Sequence, residues 1–182
     1  MHGRILSAIV TLSLLGTTTS AQWRENGEKI PDTEWRKRDG KFGVELAFTD
    51  KPNELFAAWE KPTAGVELSA TETAVRGIPI MAVIFFTGCK PDARGMCNAT
   101  VRFTSYTPDG KVWGAGQESE LWVNRPAPSE NEIQLSVGCM GIVIDPDEPL
   151  GLYAVEAVVT DNVAKRSMVL RRTFSAVEKQ QP

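Results

Sequence analysis

The chain has 182 residues, 42% of them hydrophobic, with 20 basic against 23 acidic side chains and a formal charge of −3. That mildly acidic, mixed-sign balance argues against nucleic acid or anionic lipid as the main partner. The single histidine is His2, so the body of the chain lacks the residue that Ser-His-Asp and Cys-His catalysis require, and it also lacks the commonest metal ligand.

The first 21 residues read as a secretory signal peptide. Arg4 supplies the positive start, ILSAIVTLSLL (5–15) the apolar middle, and GTTTSA (16–21) a small-residue cleavage site before Gln22. The apolar run is shorter than the roughly 20 residues that span a bilayer, so no membrane span is expected once this segment is removed. The expected home is the periplasm or the exterior. Taking Arg4 from the 20 basic residues leaves 19 against 23 acidic, a charge of −4 for residues 22–182.

Residues 22–40 are charged and without apolar period, and they read as an N-terminal arm with Trp23 or Trp35 as a docking point. Residues 41–64 hold a first strand at 42–48 and a short helix capped by Asp50 or Asn53, with Leu55, Phe56 and Trp59 on one side; Lys61-Pro62 ends it. Strands then recur at regular spacing. GVELSATETA (65–74) gives one, and Ile80–Phe86 is apolar on both alternating sets, the pattern of a strand covered on both faces.

FTGCKPDARGMCNAT (86–100) carries Cys89 and Cys97. Their spacing fits neither a zinc pair nor a C-x-x-C redox motif. In an oxidising compartment the pair reads as a disulfide staple across a turn, with Cys139 either free or a rival partner for one of them. Asn98-Ala99-Thr100 matches a glycosylation acceptor, a pattern short enough to arise by chance.

Ala99–Tyr106 alternates cleanly, and Pro108-Asp109-Gly110 predicts a tight turn into the return strand that starts at Lys111. Leu121–Val123, Ile133–Val137 and Met140–Ile144 are further short strands. Leu152–Thr160 and Met168–Phe174 flank a hairpin turn at Asp161-Asn162, with a bulge expected at Arg171-Arg172, where alternation slips. Residues 178–182 form a tail.

Seven or eight strands with almost no helix predict a mostly β chain, an antiparallel sandwich. Gly151-Leu152-Tyr153-Ala154-Val155 resembles the G-x-Y-x-C stretch of the immunoglobulin-like superfamily, with Val155 where that family places a core cysteine. The resemblance covers residues 65–177. It implies that the Tyr153 hydroxyl bonds back to an upstream corner, that Ala157 and Val159 share a face with Tyr153 and Val155, and that the inter-sheet disulfide is absent. The run FGVELAFTDKP…LFAAWEKP…GC…PDGKVW…PLGLYAVEAVVTD is also similar to exported proteobacterial proteins, which implies a periplasmic home and supplies no activity.

No cofactor or metal is expected: the acidic turn Asp145, Asp147 and Glu148 is interrupted by Pro146 and Pro149 and has no EF-hand spacing. Trp113 and Trp122 bracket the GAGQESE loop and are candidate anchors, with Arg171 as a candidate recognition residue; Gly110, Gly151 and Tyr153 are structural. The leading expectation is a non-enzymatic module that recognises a periplasmic or cell-envelope protein through loops 87–98 and 114–120. The alternative is a small-ligand or glycan binder that uses the tryptophans, and a third is a histidine-free hydrolase built on paired carboxylates.

Overall fold

A computed structural model describes residues 31–60 and 69–179, together with the backbone of 24–25 and 28–29. The expected signal peptide, Trp23, residues 65–68 of the strand expected at 65–74 and the end of the tail lie outside the described residues. No helix among the described residues is long and apolar enough to cross a membrane.

The chain is mostly β. In order the strands are β1 (Arg24–Glu25), β2 (Glu28–Lys29), β3 (Arg36–Asp39), β4 (Phe42–Thr49), β5 (Thr73–Val75), β6 (Ile80–Thr87), β7 (Met96–Tyr106), β8 (Val112–Ala115), β9 (Ser119–Pro126), β10 (Gln134–Leu135), β11 (Met140–Ile142), β12 (Gly151–Asp161) and β13 (Arg166–Val177), and α1 (Pro52–Glu60) follows β4. Six of these strands have eight or more residues, and the others are short pieces.

Leaving aside the β1–β2 ribbon, the strands form two sheets. One runs β10-β6-β4-β3 with β11 also on β6; the other runs β5-β13-β12-β7-β8 with β9 also on β7. All pairings are antiparallel except β5 with β13. Alternation builds the core between them. Phe42, Val44, Leu46 and Phe48 of β4 and Ile80, Ala82, Ile84 and Phe86 of β6 meet Tyr153, Val155, Ala157 and Val159 of β12, all of them buried. The expectation that Tyr153, Val155, Ala157 and Val159 share the core face holds.

The double-sided reading of β6 also holds. Its other face presents Val83 and Phe85, which form a second cluster with Ala47, Leu55 and Leu135, flanked by Phe56, Trp59 and Met81. The helix α1 therefore covers the outer face of this sheet. Its start differs from expectation. Pro52 takes the first helical position, where a missing N–H costs nothing, and Asp50 accepts a hydrogen bond from the Ser69 hydroxyl instead. The strand β4 lies within the sheet, paired with β6 from Gly43↔Thr87 to Thr49↔Met81, rather than against a sandwich already completed by residues 65–177.

The chain crosses between sheets at both edges. Thr71 N–H donates to Phe48 O, and Ser175 N–H donates to Glu72 O; on the opposite edge Ser136 N–H donates to Ile84 O while Val137 N–H donates to Leu121 O. Trp35 docks in the same manner as expected of the arm: its carbonyl accepts from Leu46 N–H, and neighbouring Glu34 O accepts from Arg171 N–H.

The bulge expected at Arg171-Arg172 is absent. The β12–β13 register is continuous from Gly151↔Ala176 to Asp161↔Arg166. Alternation slips in the sequence because Arg172 takes an inward position, crosses to the Leu46 carbonyl at 3.0 Å and lies under Trp35. Irregularities fall instead in β7, against β8 and β9.

Tyr153 anchors one end. Its hydroxyl donates to Pro149 O at 2.7 Å, and its ring stacks on Phe174 at 5.4 Å. Burial raises its pKa, which keeps the phenol protonated and donating. Tyr153→Phe retains the ring and loses the hydrogen bond, so it is expected to cost about 1 kcal/mol in urea unfolding; an unchanged midpoint would show that solvent replaces the bond at no cost.

Candidate functional site

The turn between β6 and β7 is built by its own side chains. Cys89 and Cys97 are bonded, with Cα atoms 6.0 Å apart across a separation of 8 residues, and both are buried. Within the loop, Asp92 Oδ1 accepts from Arg94 N–H at 2.8 Å and Met96 N–H at 2.9 Å. The Met96 N–H is the main reason the Asp92 carboxyl titrates below its ordinary value. Gly95 takes φ +79°, a conformation that favours glycine, and its carbonyl accepts from Ala127 N–H at 3.0 Å. That bond ties the loop after β9 to the loop after β6.

A third segment joins at the β12–β13 turn. Buried Asp161 accepts from Lys90 N–H at 2.9 Å, Ala164 N–H at 3.0 Å and Arg166 Nη2 at 3.2 Å. Arg166 also donates to Asp39 O at 2.6 Å and lies over Phe42. Lys41 Nζ reaches Glu130 Oε2 at 3.3 Å. Together these segments enclose a concave pocket of about 640 Å³, walled by the loop around Cys89–Pro91, the 127–131 loop, Lys41, Ala164 and Arg166. That volume lies within the range of small-ligand sites.

The disulfide forms part of the pocket wall. Cys89→Ser/Cys97→Ser is expected to lower stability by about 2–3 kcal/mol, the loop-closure entropy of so short a ring. Urea unfolding of the double variant beside the oxidised chain measures it, and equal midpoints would mean that the loop's hydrogen bonds alone hold it.

None of the other sequence candidates lines this pocket. Trp113 is half-buried, donates from Nε1 to Glu148 Oε1 at 2.8 Å and meets Tyr153 edge-on at 5.1 Å. Trp122 donates to Pro126 O at 2.9 Å, packs against Phe86 at 5.6 Å and carries Arg125 over its ring. Both rings pack against the core. Arg171 is exposed and lies over Tyr106 on the outer face of the larger sheet. Gly110 sits at φ +81° in its turn, with its N–H donating to Thr107 O, and Gly151 packs near Pro108 of that turn. Cys139 is free and exposed; partial burial of its thiol raises the pKa, the opposite of a nucleophile's requirement. Glu148 of the acidic turn is engaged by the Trp113 indole.

Sequence reasoning picked out the 87–98 loop but missed Lys41, Glu130 and Arg166. These come from three separate segments, and only the pairing of loops brings them to one pocket.

No family model matches the chain, and no curated protein does. Among solved structures it is similar to a family 123 glycoside hydrolase from Clostridium perfringens at 14% identity, over 76% of this chain and 28% of that one, with a TM-score of 0.42. The chain thus spans just over a quarter of that enzyme. It is similar also to a CARDB domain from Pyrococcus furiosus in complex with di-metal ions, at 8% identity over 82% of this chain and 100% of that one, TM-score 0.40. A FixG-related protein from Vibrio parahaemolyticus is similar at 11% identity over 76% and 98%, TM-score 0.38. These likenesses are too distant to transfer an activity.

Proposed function

We propose that the chain is an exported, immunoglobulin-like module without catalytic activity, and that it recognises a protein or cell-envelope partner through the pocket between the 88–95 and 127–131 loops. The immunoglobulin-like assignment is supported by the Tyr153 hydroxyl bonded back to Pro149 O and by a core strand carrying Val155 in place of a cysteine. Export is supported by the Cys89–Cys97 disulfide.

The observation that carries the reading is a preformed concavity held by a disulfide, by Asp161 and by loop-to-loop hydrogen bonds. A site organised before binding loses little conformational entropy on meeting a partner. The tryptophan-based glycan reading has less support, because both indoles are occupied by packing and hydrogen bonds.

Affinity capture from envelope extracts with the oxidised, signal-free chain tests the proposal, followed by titration of the captured protein in purified form. Saturable binding of that protein, abolished by Lys90→Glu and retained by Arg171→Ala, is the expected result. Binding that ignores Lys90→Glu, or turnover of an ester or glycoside by the chain itself, would overturn it.

A further inference from the structure

The outer face of the larger sheet stays open where α1 closes that of the other. On it Val169 of β13 stands opposite Val158 of β12, Val158 opposite Arg102 of β7, and, two residues along, Arg171 opposite Glu156. Val169 is 45% exposed, and Arg102 and Arg171 are exposed as well. Neither arginine makes an ion pair among the described residues. Arg171 turns from Glu156 and lies over Tyr106 of β7, so both positive charges belong to the β7 side of this patch. The β1–β2 ribbon has the complementary need. Its register sets Arg24 opposite Lys29 and Glu25 opposite Glu28, and like charges directly opposite one another destabilise a strand pair. A two-stranded ribbon alone in water is also marginal at best. The chain brings the two together: Glu34 O accepts from Arg171 N–H at the β13 edge, and only Pro31, Asp32 and Thr33 separate Ile30 from Glu34.

We propose that this face is the docking surface of the chain's own residues 22–30, independently of the pocket's role. Glu25 and Glu28 lie beside Arg102 and Arg171, and Trp23 and Ile30, two residues back along each leg and so on the same side of the ribbon, lie against Val158 and Val169. The reach fits: a five-residue leg is about 16 Å long, and β13 to β7 is two strand spacings, roughly 10 Å. Arg24 and Lys29, on the alternate side, are left to solvent. A second copy of the chain could cover the valines, but it would leave the paired acids of the ribbon unanswered.

Nuclear magnetic resonance of the oxidised chain starting at Gln22 tests the placement. In Trp23→Ala the methyl resonances of Val158 and Val169 are expected to move, because they lose the ring current of the indole, while those of Val44 in the core stay in place. Amide exchange at Glu25, Glu28 and Lys29 is expected to be slower than in an unstructured chain, and equally so at two protein concentrations tenfold apart. Arg102→Glu/Arg171→Glu is expected to accelerate it about tenfold, since two exposed attractions become two repulsions, with exchange at Val101 and Val159 unchanged. Valine methyls that ignore Trp23→Ala, exchange at the unstructured rate in the unsubstituted chain, or exchange indifferent to the arginine reversal would each overturn the proposal. Protection that disappears on dilution would also overturn it, because a second copy would then be the cover.

Discussion

Gly88→Ala is expected to lower the unfolding free energy by about 4 kcal/mol, or to prevent accumulation of folded protein altogether. A Cβ at Gly88 would stand 2.2 Å from Lys41 O and 2.9 Å from its carbonyl carbon, well inside van der Waals contact. The obstacle is backbone on both sides. Gly88 follows Thr87, which pairs with Gly43, and Lys41 leads into the same strand pair, so relief requires prying β4 from β6 where the pocket begins. Gly88 also sits at φ +60°, where a non-glycine residue adds about 1–2 kcal/mol of its own.

Gly95→Ala separates the two contributions. It has φ +79° and nothing within 4 Å of an added Cβ, so only the conformational part of about 1–2 kcal/mol is expected. Urea unfolding of both variants with the disulfide intact gives the comparison. Equal losses would show that the 88–95 loop shifts away from Lys41 and that the clash is not structural.

How far the sequence revealed this arrangement depends on whether the controlling interaction is local. The double-sided β6 was legible because period-two apolarity on both faces has one physical meaning, burial on both faces, and α1 supplies the second cover. The disulfide was legible because its two cysteines close a short turn of their own. Arg172 was misread. An inward arginine breaks alternation just as a bulge does, and only the opposite sheet, with Leu46 O and the Trp35 ring, shows what the charge is for. The packing of the tryptophans was illegible for a similar reason, since an indole's partners, Tyr153 for Trp113 and Phe86 for Trp122, come from strands remote in sequence. The pocket itself was least legible. Lys41, Lys90, Glu130 and Arg166 share no motif, and each would pass for a solvated surface charge.

One carboxylate ties two of those segments together, the loop after β6 and the β12–β13 turn. Asp161→Ala is expected to cost about 3 kcal/mol, the lower end of the loss on breaking a buried ion pair, because the Arg166 side chain keeps 22% of its exposure and water can partly replace the lost partner. The substitution would leave Lys90 N–H, Ala164 N–H and Arg166 Nη2 without their acceptor at once, so the loop after β6 would come free of the β12–β13 turn. Asp161→Asn keeps one acceptor oxygen and the side-chain volume; it is expected to cost about 1–2 kcal/mol. Amide hydrogen exchange distinguishes a local tether from a general loss of stability. In Asp161→Asn, exchange at Lys90 and Ala164 is expected to accelerate more than at Val101 or Val159 in the core strands. Uniform acceleration would show that Asp161 supports the whole sandwich and not the pocket in particular. Unchanged stability in Asp161→Ala would mean that the pocket's geometry is set by the disulfide and the Ala127–Gly95 bond alone.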